Sequence, residues 1–168
     1  SFRGHFGLNN STGQRYATGK LTVLDVADQR AALMKLAELT QRSSIHPLIL
    51  RTARHITSGV APRDDAGELQ AIFDAVKHGT PHVQELRNGI RYVADPRFAD
   101  AFMAPSRMLK ECRRGACSGD CDDATSMVCA LGSAVGFRMG LRAWGPNGSY
   151  GEFVHVYPVA LMPKRMEG

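Results

Sequence analysis

SGDCDDATSMVCALGSAVGF, Ser118 to Phe137, sets a cysteine among three aspartates directly ahead of a run with helical periodicity. Ala124, Met127, Val128, Leu131, Ala134 and Val135 form one stripe, which predicts a helix buried on one side, and Gly136 suits its C′ position. Gly119 lets the chain turn tightly, and Asp120 carries the acceptor an N-cap needs, so Cys121 falls in the first helical turn. There the unpaired N–H groups and the positive end of the helix dipole favour thiolate over thiol. Nearby carboxylates act in the opposite direction. Successive helical residues point about 100° apart, so Asp122 and Asp123 are expected to face away from the sulfur and support the helix start.

Downstream, Phe137, Met139, Leu141 and Ala143 alternate with Arg138, Gly140 and Arg142, the pattern of a strand with one solvated face. GPNGSYG makes a turn, and EFVHVYPVALM is a second strand antiparallel to the first. His155 lies in that strand between Val154 and Val156, and alternation points its ring away from both. A cysteine at a helix N-terminus and a histidine on an adjacent strand make a nucleophile and a general base. Cys129, inside the helix, reads as a packed apolar residue.

Upstream, ADQRAALMKLAELTQRSS places Leu33, Leu36, Ala37 and Thr40 at helical spacing and ends near Arg42. HPLILRTARHITS predicts a second helix with Pro47 in its first turn, Ile49, Ala53 and Ile56 on one side, and Gly59 as its stop. Leu69, Ile72, Phe73 and Val76 define a third, ended by HGTP. KLTVLDV is a short strand, GIRYVADPRF an extended apolar segment, and MAPSRMLKECRRGACSG a loop with at most one helical turn. Residues 1–20, rich in Gly, Asn, Ser and Thr, read as an extended arm that orders on a partner, with residues 21–168 as one domain.

The net charge of +5 and a pI near 9.3 favour acidic partners. The excess is spread over Arg51, Arg54, Arg87, Arg91, Arg113, Arg114, Arg138 and Arg142, only KECRR is dense, and twelve aromatics are scattered. Nucleic-acid binding is therefore disfavoured. No apolar run is long enough to span a membrane and no signal-peptide core is visible, so a soluble chain made in the cytoplasm is expected. Cys112, Cys117, Cys121 and Cys129 fall within 18 residues, a clustering that favours thiol chemistry or metal in a reducing compartment over a disulfide framework. The metal alternative, Cys112, Cys117 and Cys121 with Cys129 or His155, lacks a Cys-x2-Cys pair. Asp64-Asp65 and Asp122-Asp123 read as helix-start charge rather than calcium ligands. The remaining histidines, 5, 46, 55, 78 and 82, read as solvated surface.

GDCDDATSMVCALGSAVGFRMGLRAWG followed by FVHVYPVA resembles the core of the transglutaminase-like superfamily. With ELQAIFDAV, GIRYVADP and PSRML upstream, the chain is similar to phage and prophage members over about residues 64–160. The resemblance implies an α+β fold with a papain-like core, a helical N-terminal part, and a central helix carrying the cysteine packed on an antiparallel sheet. It implies Cys121 as nucleophile and His155 as general base and acid, supported by Gly119 and Asp120, with neither metal nor cofactor. The expected reaction is acyl transfer at amide bonds through a Cys121 thioester, on protein or peptide substrates, peptidoglycan peptides included. The family's third member, an aspartate on the following strand, has no counterpart here: the 13 residues after His155 hold one acid, Glu167, and Asn147 is a substitute from the turn. KHGTPHVQELRNG is longer than the family's usual helix-to-strand link. The alternative implied role is a structural or assembly component of a phage particle, meeting other virion proteins through the N-terminal arm.

Overall fold

The computed structural model describes residues 3–5, 22–24, 29–93, 100–144 and 155–164. It is an α+β structure in which Arg3–His5 forms strand β1 and Thr22–Leu24 strand β2. The rest of the expected N-terminal arm and the turn at 145–150 lie outside the described residues. Helix α1, Gln29–Ser44, runs two residues beyond the predicted stop. Helix α2, Pro47–Thr57, follows His46, whose Nδ1 accepts the Leu48 N–H at 3.1 Å. That half-buried ring is an N-cap, not the solvated side chain expected of it.

Helix α3, Asp65–His78, is capped by Asp64, which accepts from the Gly67 N–H at 2.9 Å. Asp65 Oδ2 takes the Lys164 N–H at 2.8 Å, so both acids have structural partners. The buried positions of α3 are Ile72, Ala75 and Val76. Phe73, expected in that stripe, is instead 43% exposed. A 3₁₀ turn at Gln84–Leu86 leads into strand β3, Ile90–Tyr92, which is buried only at Ile90.

Strand β4, Asp100–Phe102, pairs antiparallel with β2. The segment predicted as loop is helix α4, Pro105–Arg114. Pro105, Met108, Leu109 and Cys112, at i, i+3, i+4 and i+7, supply its buried face. The density of Arg and Lys on its other face masked that pattern in the sequence. Strand β5, Cys117–Gly119, pairs parallel with β3 and was not anticipated.

Helix α5, Cys121–Ala134, begins where predicted, and Gly136 follows its end with φ +101°. Every residue from Thr125 to Gly132 is buried, so the helix is enclosed all round rather than on one side. Strands β6, Arg138–Trp144, and β7, His155–Leu161, pair antiparallel beneath it, with Met139 opposite Ala160 and Trp144 opposite His155. β1 adds to the far side of β6, which leaves β7 at the sheet edge. Met139, Leu141 and Ala143 of β6 are buried and Arg138 is exposed as the alternation predicts, but Gly140, expected on the solvated face, is buried too, its carbonyl under the Cys129 thiol. Helices α1, α2 and α3 pack over the other side of α5. The sulfur-bearing first turn thus sits at the end of the best-buried helix, beside an edge strand. No described helix is long and apolar enough to cross a membrane.

Candidate active site

Four N–H groups at a helix start need partners from outside the helix. The Asp120 carboxylate accepts the N–H groups of Asp122 and Asp123 at 3.0 and 3.2 Å, and its backbone carbonyl accepts that of Ala124 at 3.1 Å. Asp123 Oδ2 returns a bond to the Asp120 N–H at 3.2 Å, which completes a reciprocal capping box. The Cys121 N–H is the one left over, and it turns toward its own sulfur.

Gly119 is required for space rather than for turning. A Cβ there would lie 2.6 Å from both Cβ and Oδ2 of Asp123, where the carboxylate folds back to cap the helix. Gly119 and Asp120 therefore shape the helix start that carries Cys121, through a cap that needs both Asp120 and Asp123.

Asp122 departs from the expectation that it faces away. The Cys121 thiol donates to Asp122 Oδ1 at 3.9 Å. Burial pushes the Cys121 thiol above its ordinary value, and Asp122 and Asp120 push the same way. The Val156 backbone N–H, which donates to the sulfur, and the Cys121 N–H pull in the other direction. The net direction is upward, so the resting group is a thiol rather than the standing thiolate expected from helix position alone.

Strand β7 is held against α5 by its free edge. The Val156 carbonyl accepts from Thr125 Oγ1 at 3.1 Å in a buried bond. The N–H and C=O of one strand residue point the same way, so Val156 contacts Cys121 and Thr125, one helical turn apart, at once. This sets the height of β7 relative to the cysteine and therefore the position of its neighbour His155. Thr125 is a positioning residue that the sequence reading missed; its signal was a hydroxyl four residues after the cysteine in an otherwise apolar run. Thr125→Val is expected to cost about 1–3 kcal/mol, because it strands a buried carbonyl, while Thr125→Ser should retain most of the stability. Urea unfolding of the two variants checks this.

Cys121 and His155 line one cleft of about 360 Å³. Phe73 and Lys77 of α3 and Tyr92 of β3 form its opposite wall, and Tyr157 and Pro158 extend the His155 side. Tyr92 is 67% exposed, so the exposed aromatics of α3 and β3 are cleft walls rather than failures of packing. The helical stripe placed Phe73 in the core because periodicity does not distinguish a core from an apolar cleft. The exposed His155 ring stacks on Tyr157, with centroids 6.1 Å apart and planes 24° apart. Among the described residues no side chain hydrogen-bonds the imidazole, and the two third-member positions considered, Asn147 and Glu167, lie outside them.

The remaining cysteines correct the sequence expectation. Cys112 and Cys117 form a disulfide, because α4 returns the chain until their Cα atoms are 4.7 Å apart. The pairing removes the argument for a reducing compartment and takes both sulfurs out of the four-thiol metal set. Cys129 is fully buried and donates to the Gly140 carbonyl at 3.4 Å, and burial drives its thiol far upward. No group of three or more His, Cys, Asp or Glu residues among those described is placed to hold a metal ion. A thiol reagent should therefore titrate Cys121 alone in the native, unreduced protein, add Cys129 on denaturation, and reach all four cysteines only after reduction. Peptide mapping of the labelled protein checks the order.

No protein-family model, curated protein or solved structure matches this chain.

Proposed function

We propose that the protein is a cysteine acyltransferase or hydrolase acting on amide bonds, with the papain-like core of the transglutaminase-like superfamily. One observation carries the reading: a single cleft is lined by a half-buried thiol at the start of a central helix and by a histidine on the strand packed against that helix. In the reaction His155 takes the proton as the Cys121 sulfur attacks the carbonyl carbon. The carbon–nitrogen bond then breaks, and His155 gives that proton to the leaving amine. The Cys121 N–H, which the capping box leaves to its own sulfur, turns from the sulfur to support the oxyanion. Water then releases a carboxylic acid from the thioester, or a lysine amine releases a cross-link. The aromatic wall of Phe73 and Tyr92 favours acyl donors with an apolar side chain beside the scissile bond.

The test uses 4-nitrophenyl esters of N-acetyl-phenylalanine and N-acetyl-glycine, quenched in acid and read by intact mass and peptide mapping. Acyl adduct on Cys121, faster for the phenylalanine ester and absent in Cys121→Ala, is the expected result. No adduct from either ester sinks the proposal.

A second reading has support of its own. The thiol rests on Asp122, and the described residues leave the imidazole without an orienting partner. These features suit an acyltransferase fold serving as a structural or assembly component, of the phage type the resemblance implies. Stoichiometric incorporation into particles, unaffected by Cys121→Ala, is its expected signature.

A further inference from the structure

A second concavity lies between α4 and the first turns of α2. It encloses about 610 Å³, within the range of small-ligand sites, and shares no residue with the thiol cleft. Lys110, Arg113 and Arg114, at i, i+3 and i+4, face it from α4, and Arg51 from α2. His46 and Gln84 complete its polar lining, and no acid lines it. Among the described residues, none of the four cationic side chains makes a salt bridge. Position at the end of α4 accounts for Arg113 and Arg114 through the helix dipole, but not for Lys110 or Arg51, which come from the middle of their helices. The positive field reaches the ring of His46: burial lowers its pKa first, and Lys110 lowers it further. Because His46 Nδ1 accepts the Leu48 N–H, the neutral ring carries its proton on Nε2 and is a further donor.

We propose that this cavity binds a compact oligophosphate, as free polyphosphate or as the phosphate tail of a nucleotide. Four cations around one hollow, without a salt bridge among the described residues, match a ligand that concentrates several negative charges in a few ångströms, which a single carboxylate does not. Three of the four are guanidinium groups, whose planar forks bind phosphate oxygens in pairs. The cations come from two helices to one hollow, three from α4 and one from α2. The lining holds no Phe, Tyr or Trp on which bases would stack, so an extended nucleic acid fits less well.

Calorimetric titration of the full chain with sodium tripolyphosphate and with ATP, in 50 mM and 300 mM NaCl, tests the proposal. The expected result is saturable 1:1 binding, weaker at the higher salt. Tripolyphosphate alone binding identifies free polyphosphate as the source, and equal or tighter ATP binding identifies the nucleotide tail. Arg51→Gln combined with Arg113→Gln should weaken binding at least tenfold with unchanged melting temperature, while Arg54→Gln combined with Arg87→Gln, outside the cavity, should change it less than twofold. Sulfate binding as tightly at matched ionic strength, or equal loss in both double variants, overturns the proposal. So does tighter binding of a 20-nucleotide single strand or a poly-glutamate peptide through the same arginines, which would reassign the cavity to a macromolecule. Cys121 takes no part in this binding, so the outcome is independent of the thiol reading.

Discussion

His155→Ala is expected to slow acylation of Cys121 by an activated ester about 100-fold or more at pH 7, the range for loss of a general base. The reason lies in the resting state of the sulfur. Burial, reinforced by Asp122 and Asp120, raises the thiol above its ordinary value, so little thiolate is present at neutral pH and attack depends on removing the proton as the bond forms. With His155 in place, the rate should depend only weakly on hydroxide. Without it, the rate should climb with hydroxide through the neutral range and continue until the raised thiol titrates. The two profiles should converge at high pH, where alkylation by iodoacetamide is indifferent to His155. Asp122→Asn moves the opposite way, because it removes the carboxylate 3.9 Å from Sγ. A half-exposed charge pair of this kind is worth about 0.5–1 kcal/mol, so alkylation at pH 8 should rise about two- to fivefold. A selective, His155-dependent reaction near pH 6 would contradict this account, since it would require a standing thiolate–imidazolium pair. Parallel profiles for wild type and His155→Ala would remove His155 from the mechanism.

The parts of this molecule legible in the sequence are those where one physical signal dominates. The start of α5, its Asp120 cap and the core face of β6 could each be read because burial or a local hydrogen bond alone decides them. Helix α4 was hidden because its charged face is dense and its core face holds only Pro105, Met108, Leu109 and Cys112. The Cys112–Cys117 disulfide was hidden with it, since five residues in a loop say nothing about where two sulfurs meet. The candidate site was half legible. Cys121 and His155 were identifiable by residue type and element. The Thr125–Val156 bond, between residues 31 apart, and the Phe73–Tyr92 wall arise from how α3, β3 and β7 settle around α5, while the Asp122 contact joins neighbours and turns on a side-chain rotamer that periodicity does not fix. The basic cavity likewise joins Arg51 to residues nearly sixty positions away, which a scan for charge runs cannot see.

Gly119→Ala should be strongly destabilising although it adds a single methyl. The new carbon would meet Asp123 Cβ and Oδ2 at 2.6 Å, well inside contact distance, and Asp123 cannot swing aside while it bonds the Asp120 N–H. Gly119 cannot retreat either, because its carbonyl accepts the Val93 N–H at 2.9 Å within the β3–β5 pair. Relief therefore requires loss of the box, loss of the strand pair, or strain in both. Overpacking typically costs 1–3 kcal/mol and a lost cap about 1, which gives roughly 2–4 kcal/mol and a fall in melting temperature of about 5–15 °C. Gly132→Ala is the internal control. Its nearest obstacle, Met139 Sδ at 2.8 Å, belongs to a flexible side chain that can yield, so its cost should be smaller. The decisive comparison is made in an Asp123→Gly background, where both the obstructing Cβ and the carboxylate are gone. There Gly119→Ala should add less than about 1 kcal/mol, a non-additivity expected of two groups in contact. If both backgrounds lose the same stability, the glycine serves the strand rather than the cap. The helix start that presents Cys121 would then not depend on the empty space beside Asp123.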